Sequence, residues 1–160
     1  MVAPTTSAAG VAFLAVSLMT ACGDPRQEFL GAYKGPQTWT EHYSDGTSAS
    51  SALGEKQVTI SAPADSDVLL LGTSCAFTAS VVAAHRFSFN KKACPSKRVR
   101  LGPPTQPFDC DLSQSVVEGF GTLDRSTVTM DFSGDIQMTG CSGGNPSRSF
   151  GYSSQMIVTR

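Results

Sequence analysis

Five cysteines and two histidines are the most reactive side chains in this sequence, and their spacing limits the chemistry they can share. Cys75, Cys94, Cys110 and Cys141 lie 19, 16 and 31 residues apart, with no C-x-x-C and no neighbouring histidine. Zinc ribbons and fingers bring their ligands in close pairs, so this pattern reads as disulfide, and no metal or other cofactor is expected. Four cysteines allow three pairings. Stapling sequential segments favours Cys75–Cys94 with Cys110–Cys141, which closes the proline-rich stretch between them at both ends. Each bridge is expected to contribute ~2–4 kcal/mol, mainly by restricting the unfolded chain. A serine nucleophile needs a base and an oxyanion hole. No G-x-S-x-G is present, and Gly72-Thr73-Ser74-Cys75-Ala76 lacks the final glycine. His42 and His85 read as a strand and a turn residue. Asp65-Ser66-Asp67 lacks the glycine and distal glutamate of a calcium loop. Asp109, Asp111, Asp131 and Asp135 read as turn formers. No catalytic residue is assigned, and an enzyme is not expected.

Cys22 stands apart from the other four. Residues 11–21 form an apolar run too short to cross a bilayer but of signal-peptide length. The run ends in Leu18-Met19-Thr20-Ala21-Cys22-Gly23, which resembles the lipobox of bacterial lipoproteins. That resemblance implies that residues 1–21 are an export signal and that Cys22 is the acylated first residue of the mature protein. Residues 22–28 would be a lipidated tether and residues 29–160 one β domain. Residues 1–10 hold no Lys or Arg, so the signal's positive charge is expected from the amino terminus or from residues upstream. Assigning Cys22 to lipid leaves an even number of thiols for an oxidising compartment. Two or more acyl chains hold a protein durably on a membrane, and six tether residues reach at most ~20 Å. The expected location is the cell envelope. Gly23, where an aspartate would retain the protein at the inner membrane, points to the outer membrane.

Removing 21 residues from 160 leaves 139, a size for one domain. Net charge is −1, so nothing global suggests nucleic acid as a partner. From Phe29 onward, apolar residues alternate with polar ones. Val58 and Ile60, Phe77 and Ala79, Phe87 and Phe89, and Val128, Met130 and Phe132 each share a face. Period two in so many windows predicts half-buried antiparallel strands. The expected fold is all-β, a single antiparallel barrel or sandwich of about eight strands with two disulfides. Asp45-Gly46 and Ser133-Gly134-Asp135 read as turns, and residues 123–126 as the tip of a hairpin. Phe29-Leu30-Gly31-Ala32-Tyr33 resembles the opening of lipocalin-like small-barrel lipoproteins, with Tyr33 where tryptophan is usual. The resemblance implies an aromatic plug at one end of a barrel. The strand run, the paired cysteines and the closing Thr159-Arg160 are also similar to cysteine-rich lipoproteins of myxobacteria, and that similarity implies no activity.

One charge pattern exceeds background. Arg86, Lys91, Lys92, Lys97, Arg98 and Arg100 occur with no acid between Asp67 and Asp109. Either they keep a loop solvated, or Lys91, Lys92, Lys97, Arg98 and Arg100 contact anionic envelope lipid or glycan. Screening acts within ~8 Å at physiological salt, so membrane contact requires this surface to lie close to the bilayer. The leading functional expectation is a non-enzymatic interaction module held to a membrane by its N-terminal lipid. The alternative is a lipocalin-like carrier in which Phe77, Phe87, Phe89, Val128, Met130 and Phe132 line a cavity for a small apolar ligand.

Overall fold

The computed structural model describes residues 23–73 and 75–160; the expected export signal and the expected acylation position, Cys22, lie outside them. Ten strands follow one another: β1 (Gly31–His42), β2 (Ser48–Ser61), β3 (Val68–Gly72), β4 (Phe77–Ala83), β5 (Arg86–Phe89), β6 (Lys92–Ala93), β7 (Lys97–Leu101), β8 (Phe108–Asp124), β9 (Thr127–Thr139) and β10 (Arg148–Thr159). Eight of them form a ring of antiparallel neighbours, β5-β4-β3-β2-β1-β10-β9-β8. The ring closes where Arg86, Phe87 and Ser88 of β5 face Thr122, Gly121 and Phe120 of β8. The fold is therefore an up-and-down barrel, and closure leaves those eight strands without an open edge at that level. Strands β6 and β7 stand outside the ring, paired to the first half of β8. The prolines of residues 94–110 fall between these short pieces, where no ladder hydrogen bond is needed.

The alternation read from sequence places the core. Val58, Ile60, Leu69, Leu71, Phe87, Val128, Met130 and Val158 point inward and are buried. The hairpin expected at residues 123–126 joins β8 to β9, and Asp45-Gly46 turns β1 into β2. The turn expected at Ser133-Gly134-Asp135 is corrected: β9 runs straight through these residues, paired with β8 on one side and β10 on the other. Its glycine answers a different need. A Cβ on Gly134 would collide with the backbone carbonyl of Ser115 on β8.

One end of the barrel is closed by the segment expected to be an extended tether. Gln27–Phe29 forms a 3-10 turn, and Phe29 is buried with its ring edge-on to Phe87 at 5.3 Å. Arg26 donates to the Asp24 carboxylate at 2.8 Å and to the carbonyls of Pro63 and Ser66 in the β2–β3 loop. The Arg26 guanidinium holds the Asp24 carboxyl well below the usual carboxylate range, at about 2. Glu28 accepts the backbone N–H of His85 and lies 2.7 Å from His85 Nδ1, clamping the tip of the β4–β5 hairpin. Tyr33 is buried, and its hydroxyl donates to the Phe29 carbonyl. The Arg160 guanidinium lies 5.5 Å from the centre of the Tyr33 ring and donates to the carbonyls of Leu30 and Glu28. The first and last described residues thus lock one another at this end.

Candidate functional site at the open end of the barrel

The opposite end is open because the strands differ in length. β3, β4 and β5 have five, seven and four residues, whereas β8 has 17 and β9 has 13. The longer strands overhang the mouth, and their inward faces continue past the packed core. There a cleft of about 280 Å³ opens between Gln37, Trp39, Val58, Phe77, Gln114, Phe132 and Met156, with Leu53 and Lys56 at its rim. It lies at the small end of ligand pockets, which run from roughly 300 to 1,000 Å³.

Its walls are flat and rigid. Trp39 stacks on Tyr152 with centroids 4.2 Å apart and planes 10° off parallel. Phe132 meets Tyr152 edge-on at 6.3 Å and tilts against Phe77 at 6.0 Å. The polar groups are fixed by one another. Gln37 Nε2 donates to Ser154 Oγ, which donates to the Thr38 carbonyl. Gln114 Nε2 donates to the Tyr152 hydroxyl, which donates to the Ser115 carbonyl. Burial pushes the Tyr152 phenol up, so it remains a neutral donor. Both glutamine amide groups are oriented through their nitrogens. Among the described residues, neither amide oxygen accepts a hydrogen bond from the protein, and both are open to solvent in the cleft, since no buried side-chain polar atom is left without a partner. The cleft therefore offers apolar ring faces and two fixed acceptors, which suits a small flat molecule carrying an N–H or O–H.

Of the six residues expected to line a cavity, Phe77 and Phe132 reach this cleft. Phe87, Phe89, Val128 and Met130 pack in the filled barrel beneath it. Below the mouth these side chains pack against one another in the buried core. Tyr152 falls in the apolar alternation of the last strand, whereas Gln37, Trp39 and Gln114 are not signalled by it. The clue in β1 is that Tyr33, Gly35, Gln37 and Trp39 fall on one face, so a glutamine stands in an inward row.

The cysteines pair as Cys75–Cys94 and Cys110–Cys141, with Cα separations of 5.4 and 4.1 Å. Both bridges lie at the open end. The first ties the β3–β4 loop to the segment after β6, and the second ties β8 to the β9–β10 loop. The basic residues are at this end too, but not as an unopposed patch. β7 places Arg98 opposite Asp111 and Arg100 opposite Asp109. Arg98 lies 3.1 Å from Asp111 and donates to the Gly140 carbonyl, and Lys92 donates to the Ala76 carbonyl. The histidines are separated. His42 Nε2 lies 2.9 Å from Ser153 Oγ on the outer wall, while His85 meets Glu28 at the closed end. No described contact joins serine, histidine and carboxylate in one chain of hydrogen bonds.

Fold and cleft together define a one-ended antiparallel β-barrel with a small, ring-walled mouth. Compared with known proteins, the chain matches no family model, no curated protein and no solved structure.

Proposed function

We propose that this is an exported envelope lipoprotein that holds a small, flat, largely apolar ligand in its barrel mouth without transforming it. The observation that carries the ligand reading is the Trp39–Tyr152 stack, set beside two glutamine oxygens with no protein donor. The filled barrel beneath limits the ligand to about one fused ring system. This reading takes the carrier alternative over a pure interaction module because the hollow has oriented polar groups, not merely spare volume.

The membrane part of the proposal rests on the lipobox-like segment and gains a direction from the fold. Gly23, next to Cys22, begins the segment pinned to the closed end. A lipid on Cys22 therefore puts the closed end toward the bilayer and the mouth away from it. Strand β7 pairs ten or more positions along β8 from the Thr122 end, roughly 35–45 Å at ~3.3 Å per residue. That is several Debye lengths. Lys97 and Arg100 thus reach anionic glycan or a facing surface, and not the headgroups of the membrane that carries the protein. The envelope location, outer membrane over inner, is part of the same proposal.

Two measurements test these halves separately. Intact-mass analysis of membrane-extracted protein is expected to show a chain beginning at an acylated Cys22. Residues 1–21 still attached to a free thiol would remove the anchor. For the cleft, Trp39 is the chain's single tryptophan. Titrating N-phenyl-1-naphthylamine into residues 23–160, which contain the whole ring, should quench Trp39 saturably at one molecule per chain. Replacing both glutamines (Gln37→Leu with Gln114→Leu) should weaken that binding about tenfold, the equivalent of ~1.4 kcal/mol. Quenching that never saturates would end the carrier reading.

A further inference from the structure

We propose that the outer wall of the barrel carries a second binding site, for a neutral, linear β-1,4-linked glycan. It is independent of the mouth and of the anchor.

The wall holds a groove of about 960 Å³, much larger than the cleft. Its floor is built by register. Phe120, Asp131, Gln155 and Thr38 stand side by side on β8, β9, β10 and β1, one residue from each strand. One step along the strands, Glu118, Ser133, Ser153 and Thr40 form a second row parallel to the first. Asp131, Ser133, Ser153 and Thr40 are half-buried, whereas Glu118, Phe120, Gln155 and Thr38 are exposed. Two irregularities flank these rows. β1 shifts register between Pro36 and Thr38, and β8 between Val116 and Glu118. A bulge bends its strand and re-aims the side chains after it. Gly119 lets β8 lie closer to Phe132 than any side chain would allow. These features make a barrel wall locally concave.

The lining selects the occupant. Gln155 Nε2 donates to Asp131 Oδ1 at 2.8 Å, and Ser133 points its hydroxyl at Glu118. Oriented carboxylates and amides with spare capacity suit paired hydroxyls, which both donate and accept. At one end Phe120, Val82 and the Arg86 guanidinium, 4.7 Å above the Phe120 ring, make a flat wall for the C–H face of a sugar. A peptide cannot add as a strand here, because the backbones of β8, β9, β10 and β1 are already paired on both sides. An acyl chain would desolvate carboxylates and hydroxyls without replacing their hydrogen bonds. An anionic polymer meets two carboxylates against one guanidinium. Successive groups in each row are one strand spacing apart, about 4.8 Å, close to the advance of one pyranose unit in an extended β-1,4 chain. Four strands thus accept about three to four sugars.

The test is calorimetric titration of the purified full chain with cellohexaose, chitohexaose and the β-1,4-linked anionic hexamannuronate. At least one of the two neutral oligosaccharides is expected to bind, their difference reporting whether acetamido groups are read, and hexamannuronate at least tenfold more weakly. Asp131→Ala with Gln155→Ala should reduce the neutral affinity at least tenfold, and Phe120→Ala should do so independently. Ser113→Ala with Gln137→Ala, on the same wall outside the groove, should leave it unchanged. All these side chains point outward, so unchanged thermal unfolding confirms that each variant is folded. No binding of either neutral oligosaccharide at millimolar concentration, equal binding of hexamannuronate, or groove variants that bind like the parent would overturn the proposal.

Discussion

Reducing both disulfides is expected to lower the melting temperature of the domain by roughly 20 °C. The bridges close loops of 19 and 31 residues. Chain entropy assigns them about 3 and about 4 kcal/mol respectively at 25 °C, against a total stability of roughly 5–15 kcal/mol for a domain. At this chain length each kcal/mol shifts the midpoint by about 3–4 °C. The two bridges differ in site as well as loop length. Cys110, on β8 opposite Val99 of β7, is fully buried, whereas Cys75 sits at the edge of the core. Removing Cys110 and Cys141 together should therefore cost more than removing Cys75 and Cys94. Because both bridges lie at the open end, loosening should begin there, and Trp39 emission should shift before the far-ultraviolet circular dichroism signal falls. The check is a melt with and without reductant, with alkylation showing four thiols in the reduced sample. A drop below about 5 °C would mean that the barrel ring carries the stability alone.

What could be read from the sequence is what repeats within one short window. Val58 with Ile60, Phe87 with Phe89, and Val128 with Met130 and Phe132 show period two because each stretch buries one face, and the all-β fold follows from them. The cysteine pairs were legible because linking neighbours closes the stretch that prolines keep irregular. Features that need register were not legible. Arg98 and Asp111 are 13 positions apart and read as separate basic and acidic blocks, yet they stand opposite one another once β7 pairs with β8. The cleft was missed because Gly35, Gln37 and Ser154 interrupt the apolar rows of β1 and β10. The mouth of a barrel is where inward positions stop being apolar. The outer groove takes one residue from each of several strands, so no window of the sequence contains it.

Gly134→Ala is expected to destabilise the barrel by ~3 kcal/mol or more, at or above the upper end of overpacking costs, though it adds one methyl group in the middle of a strand. Glycine here reads as a turn signal, and in most sequences beside Ser and Asp it would be one. In this barrel Gly134 of β9 pairs with Val116 of β8, where β8 shifts register between Val116 and Glu118. The Ser115 carbonyl then occupies the space a Cβ at residue 134 requires, and the Tyr152 ring lies 3.0 Å from the same point. A flexible side chain could swing away, but a backbone carbonyl inside a ladder moves only with its strand. The neighbouring position gives the control. At Gly151 on β10, nothing lies closer than 3.8 Å to the point a methyl group would occupy. Gly151→Ala should therefore be neutral or stabilise by up to ~1 kcal/mol, since glycine loses more freedom on folding than alanine. Urea unfolding of the two variants measures the difference directly. Displacing Tyr152 also disturbs the face on which Trp39 stacks, so Gly134→Ala should change tryptophan emission even at temperatures where the domain stays folded. If the two variants unfold at the same urea concentration, the Ser115 carbonyl does not approach Gly134 this closely, and the bend that shapes both the mouth and the outer groove has another origin.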